Sequence, residues 1–155
     1  MKTPQVPPFL EWVASARESR TGDPIWSVQA YRLALYAIAC HIGDRQANIA
    51  LTGAPAFEQL TRAIGSVAAN IGEGYSRASI ADRNRFYEYA LGSVREAIDW
   101  YDTVRFELGV VTDERQSILI QVRRLLLTML RTSRAGTPPL SIADATRRAK
   151  SIDEP

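Results

Sequence analysis

Residues 79–109 read SIADRNRFYEYALGSVREAIDWYDTVRFELG, and the spacing of their apolar side chains decides the fold. Ser79 and Asp82 stand three apart at the start, where a hydroxyl and a carboxylate can satisfy each other's free backbone N–H groups as a capping box. Behind them Tyr87, Ala90, Val94, Ala97, Tyr101, Val104 and Leu108 recur every three or four residues. That period puts all seven on one face of a helix. Gly109 closes it, and at 1.5 Å per residue the predicted helix is about 43 Å long.

Working outward, the same period appears three more times. The segment from about Pro55 to Gly74 carries Phe57, Leu60, Ile64, Val67 and Ile71. Asp23 and Pro24 give an N-cap and a first helical residue for a helix running to Ile42, striped by Val28, Tyr31, Leu35, Ile38 and Ile42, with Gly43 as its stop. A last helix begins at Thr112, where Asp113 and Glu114 favour the positive end of the helix dipole. Ile118, Val122, Leu125 and Met129 continue it to Arg131 and Arg134, and Gly136 and Pro138-Pro139 end it. Stripes averaging 3.5 residues suit a left-handed seam. No convincing alternating strand is present, and only the connection of roughly twelve residues between the first two helices is long. The reading is all-α: a left-handed, up-down-up-down four-helix bundle over residues 23–135. Residues 1–22 form an amino-terminal extension in which Phe9, Leu10, Trp12 and Val13 suit a short helix. Residues 136–155 are expected to be a mobile tail, in which Ser141 to Asp144 offers a second helix cap.

Composition narrows the classes of function. A chain of 155 residues, 46% hydrophobic and 23% charged, is sized and composed for one globular domain. It has no run of 18 uncharged apolar residues and no signal-peptide core at its amino terminus, so the expectation is a cytoplasmic protein without membrane contact. Cys40 and His41 are the only cysteine and histidine. Adjacent on a helix, they point to different faces and fall short of the three or four ligands of a zinc site, so no metal or other cofactor is expected. The net charge is only +2, but the bases are nearly all arginine, which favours bidentate contacts to phosphate and carboxylate.

Against this background a polar cluster stands out in two otherwise apolar helices: Asn70, Glu73, Gly74 and Arg77 on one, Arg85, Gly92, Ser93 and Glu96 on the next. Asn70, Glu73 and Arg77 share a face beside the Val67–Ile71 stripe. The bland reading is a satisfied polar network that sets the register of two packed helices, with Arg85, Tyr89, Ser93 and Glu96 as the partners available to the Asn70–Glu73–Arg77 face. The functional reading is a surface for a subunit, a protein or a nucleic acid. Glycine within a helix costs roughly 0.5–1 kcal/mol, so Gly65, Gly72 and Gly92 suggest close backbone approach.

At these residues the chain resembles the four-helix-bundle family of the 23S rRNA intervening-sequence proteins. The family pattern resembles S-[IV]-x-A-N-I-x-E-G-x-x-R, matched here by Ser66 to Arg77, followed by R-F-x-x-x-A-x-G-S-x-x-E, matched by Arg85 to Glu96. Trp26, Ala30 and Leu33 extend the resemblance, which covers about residues 24–133. It implies an up-down bundle that assembles into a homopentamer, with no cofactor and no catalytic residue. A related branch, the accessory variability proteins of diversity-generating retroelements, implies binding to a reverse transcriptase and to nucleic acid through basic surfaces. Gly72 where alanine is frequent, the long first loop and the two terminal additions depart from the pattern.

Three functions compete. A non-enzymatic oligomeric scaffold would contact RNA or a ribonucleoprotein through Arg115, Arg123, Arg124, Arg131 and Arg134, a stretch without an acid between its first and last arginine. A protein-interaction subunit for a reverse transcriptase or other polymerase would use Trp12, Trp26 or Trp100 as anchors. An enzyme is the weakest reading. There is no paired Glu-x-x-His, no phosphate-binding loop and no nucleophile elbow, and no small-molecule substrate is expected.

Overall fold

The computed structural model describes residues 6–47, 53–109 and 111–135, all helix, turn or loop. Its elements in chain order are α1 (Phe9–Ala14), α2 (Glu18–Thr21), a 3-10 turn (Pro24–Ser27), α3 (Gln29–Ala47), α4 (Pro55–Tyr75), α5 (Ile80–Thr103), α6 (Arg105–Leu108) and α7 (Val111–Arg134). The expected tail at 136–155 lies outside the described residues.

Four long helices carry the core. α4 packs on α5, α5 on α7, α7 on α3, and α3 on α4. Ion pairs tie both ends of α7 to its neighbours: Glu88 of α5 meets Arg134 near the end of α7, and Asp44 of α3 meets Arg115 near its start. The stripes read for α4 and α5 form the centre. Phe57, Leu60, Ile64, Val67 and Ile71 are sealed from solvent, and so are Ala90, Val94, Ala97 and Tyr101. Ser79 caps α5 by accepting from the Asp82 N–H. The predicted long third helix is interrupted: it leaves helical geometry at Val104 and resumes as α6, although Val104 and Leu108 stay buried.

The first and last helices correct the sequence reading. Asp23 caps the 3-10 turn, its Oδ1 accepting from the Ile25 N–H at 3.0 Å, so the long helix starts only at Gln29. It does not stop at Gly43 but runs on to Ala47. Nor does it bury its bulky stripe. Ala30, Leu33, Ala34, Ala37, Cys40 and His41 face the core, while Ile42 is half exposed and Tyr31, Leu35 and Ile38 are only partly covered. Most of these inward residues are small, an arrangement that a search for large apolar residues overlooks. In α7 the buried set is Thr112, Leu119, Val122, Leu126 and Leu130, so Ile118, Leu125 and Met129 flank the core rather than fill it.

The amino-terminal arm covers the outward side of α3. Phe9 and Trp12 lie 5.4 and 5.5 Å from the Tyr36 ring, and the Tyr36 hydroxyl donates to the Pro7 carbonyl at 3.0 Å. Trp12 also meets the buried Trp26 at 6.0 Å.

Only one of the helix glycines is dictated by close packing. A Cβ at Gly74 would stand 2.8 Å from the buried Tyr87 ring and 3.1 Å from the Arg83 carbonyl. At Gly65 and Gly92 it would meet nothing within 4 Å, and at Gly72 only ordinary contacts. Gly74→Ala is therefore expected to destabilise by about 1–3 kcal/mol through overpacking. Gly92→Ala is expected to stabilise by roughly 0.5–1 kcal/mol through helix propensity. Urea midpoints of the two variants moving in the same direction would contradict this assignment.

Candidate functional site

The polar motif folds onto the solvent side of the α4–α5 pair, and most of its groups bond within their own helix. Asn70 Nδ2 donates to the Ser66 carbonyl at 2.9 Å, and Ser93 Oγ donates to the Tyr89 carbonyl at 3.1 Å. Glu73 pairs with Arg77 one turn on, both about half exposed. Arg85 pairs with Asp82, and Glu96 accepts from the Trp100 indole. The expected partners of Glu73 on the neighbouring helix are therefore engaged elsewhere, and no buried network forms around it. What crosses between the helices is different: Arg77 lies over the Phe86 ring at 4.8 Å, Arg83 donates to the Arg77 carbonyl, and Tyr87 fills the space left by Gly74. Exposed ion pairs of the Glu73–Arg77 kind are worth at most about 1 kcal/mol. Gly92 is exposed, and a Cβ added there would meet open space.

The candidate phosphate-binding arginines divide into two groups. Arg115 is withdrawn from solvent: its Nε and Nη2 donate to both oxygens of buried Asp44 at 2.8 and 2.9 Å. It is a clamp between α3 and α7, not a free guanidinium. Arg134 pairs with Glu88 at the surface. Arg124 and Arg131 are exposed and Arg123 is partly so. Arg95 of α5 is exposed one turn beyond Leu91, which lines a groove with Arg131 and Arg134.

The polar group that sequence reasoning passed over is the buried cluster behind the clamp. His41 Nε2 lies 2.8 Å from Thr61 Oγ1, whose hydroxyl donates onward to the Phe57 carbonyl at 2.8 Å. Thr61 has one proton and gives it to Phe57, so the imidazole donates and carries its proton on Nε2. Its Nδ1 is buried without a hydrogen-bond partner, so a second proton there would be an unpaired donor. Burial, with Arg45 and Arg115 adding to it, lowers the His41 pKa to about 4, although Asp44 acts in the opposite direction. Burial likewise pushes the Cys40 thiol up, away from the thiolate that a nucleophile or ligand needs. The signal for this cluster was present at i, i+3: His41 and Asp44 recede together once the helix is carried past Gly43. Among the described residues no three histidine, cysteine or carboxylate side chains come together to hold a metal ion, and no helix is long and apolar enough to cross a membrane.

These features define a small all-helical bundle whose buried polar groups tie helices together. The chain belongs to the 23S rRNA-intervening sequence protein family, whose model matches residues 55–132, just over half of its length. The matched segment begins with α4 and reaches almost to the end of α7, so α3 and the arm lie outside it. No curated protein and no solved structure matches significantly.

Two predictions follow from the cluster. Arg115→Met leaves Asp44 buried without its guanidinium and is expected to cost about 3–5 kcal/mol, whereas Asp44→Leu/Arg115→Met is expected to recover most of that loss. Chemical denaturation of the single and double variants checks this. His41 gives a pH dependence of known sign. Its folded pKa of about 4 lies below the ordinary 6.5. The unfolded state therefore binds more protons in between, and stability present above pH 6.5 is lost as pH falls towards 4. The full loss is about 3 kcal/mol. Because His41 is the only histidine, the slope between about pH 5 and 6.5 belongs to it. That slope should vanish in His41→Gln when denaturation midpoints are compared across the range.

Proposed function

We propose that this protein is a non-enzymatic, self-associating helical scaffold of the cytoplasm that contacts RNA or a ribonucleoprotein. The observation that carries the reading is the outer surface of α7. It holds Arg123, Arg124 and Arg131 with no acid between Arg115 and Arg134, and Arg95 joins it from α5. Guanidiniums spaced along one helix can meet successive phosphates. Arg115 takes no part, because Asp44 holds it. Self-association, as the homopentamer that the family resemblance implies, multiplies this surface and converts weak contacts into avid ones.

Catalysis is left out of the proposal because the chemistry-bearing side chains are spent on structure. The imidazole of His41 and the thiol of Cys40 are buried in their neutral forms, and Asp44 is committed to Arg115. A reverse transcriptase or other polymerase subunit is the alternative partner. The nearly half-exposed Leu127 among the arginines is the feature that favours a protein contact.

Fluorescence anisotropy with a labelled single-stranded RNA, titrated over a range of salt, tests the phosphate reading. With three contacts the logarithm of the association constant should fall with log salt at a slope near −2. Arg124→Glu and Arg131→Glu should each weaken binding and flatten that slope. Binding that is undetectable at low salt, or indifferent to salt, would sink RNA recognition and leave the protein-partner reading.

A further inference from the structure

The amino-terminal arm does not lie flush on α3. Between α1, α2 and the 3-10 turn on one side and α3 on the other it leaves a groove of about 550 Å³. The floor is a helical stripe of α3, Leu35, Ile38 and Ile42, spaced by three and four residues, and Ile42 is half exposed. Trp12 and Trp26, with ring centroids 6.0 Å apart, form its walls. Apolar surface is thus left open to water beside two indoles.

Charge on the rim has one sign. Arg17 and Arg20 line the groove and no acid does. Both are exposed, and among the described residues neither forms an ion pair with a carboxylate, whereas Arg45, Arg77, Arg85, Arg115 and Arg134 all do. The Arg20 guanidinium stands over the Trp26 ring at 5.8 Å, which holds a cation at the edge of the apolar floor. The groove therefore brings an aliphatic surface and uncommitted guanidiniums together, in a volume that suits a small ligand. It is built from residues 12–42, outside the segment that the family model matches.

We infer that this groove binds an amphiphilic carboxylate, whose aliphatic chain lies along Leu35, Ile38 and Ile42 and whose anionic group meets Arg17 and Arg20. Each part of such a ligand finds its complement. A guanidinium fork matches a carboxylate through two parallel hydrogen bonds, and each methylene moved from water onto the apolar floor adds to affinity. The stripe from Leu35 to Ile42 is about 10 Å long, the reach of a medium-length chain. The site is separate from the arginine face of α7 and does not depend on RNA contact. Trp12 and Trp26 stand in its walls, so occupancy changes their emission.

Titration of the full-length protein with decanoate, kept below its micelle-forming concentration and followed by tryptophan emission and calorimetry, tests the site. Saturable binding is expected, with octanoate about tenfold weaker. Decanol and decyltrimethylammonium carry the same chain with no charge and with the opposite charge, and both should bind more weakly than decanoate. Arg17→Gln/Arg20→Gln should bring decanoate down to the affinity of decanol. Ile42→Glu should abolish binding of both, and each variant should keep the wild-type circular dichroism spectrum. Failure of decanoate to saturate, equal binding of the cationic amphiphile, or affinity indifferent to both variants would overturn the assignment. So would binding that appears only after residues 137–155 are removed, which would give the groove to the chain's own tail, or only on dilution of an associated form, which would give it to a second copy.

Discussion

The Asp44–Arg115 pair fixes where the first long helix meets the last. It joins residues 71 positions apart in the sequence and closes the first long helix against the last. Both charges are withdrawn from water, and such a pair is tolerable only when its geometry satisfies both groups. The two parallel hydrogen bonds meet that demand. Its presence explains the course of α3, which must continue through Gly43 to bring Asp44 to α7. It also changes the meaning of Arg115, which by sequence groups with the candidate phosphate-binding arginines and by geometry is held by Asp44. The neutral imidazole of His41 sits beside it, tied to Thr61 of α4, so three of the four long helices meet around one polar cluster.

At the other end of the molecule the seam between α4 and α5 is set by shape. Gly74 lies against the Tyr87 ring, and Arg77 closes over Phe86 just beyond it. The sequence motif that contains these residues looks like a gathering of acids, bases and glycines fit for catalysis. In three dimensions most of its polar groups serve their own helices, and only a few residues pass between the two. The motif marks the family and fixes a packing contact, while the exposed arginines Arg124 and Arg131 lie elsewhere, on α7.

How far the fold could be read from sequence varies by helix, for a physical reason. α4 and α5 announce themselves because their inward residues are also their largest apolar ones, from Phe57 to Ile71 and from Tyr87 to Tyr101. α3 misleads because its bulky residues point outward and its inward face is made of alanines, Cys40 and His41. Spacing cannot choose between two apolar faces of one helix; only the neighbour's shape does. The division of the arginines was hidden for a similar cause. Arg115 and Arg124 are alike in composition, and the acid that claims Arg115 lies on a helix far away in sequence. The exposed pairing of Glu73 with Arg77 was legible as an i, i+4 pair, but its exposure was not.

The arm that crosses α3 has an optical consequence. Trp12 and Trp26, two of the three indoles in the chain, stand together at its junction with the bundle, and the third, Trp100, lies near the far end of α5 with its N–H held by Glu96. The intrinsic emission of this protein is therefore weighted towards the place where the amino terminus lies down rather than towards the closely packed centre. Lifting the arm would dim or shift that signal while the four long helices, and their far-ultraviolet signature, stayed intact.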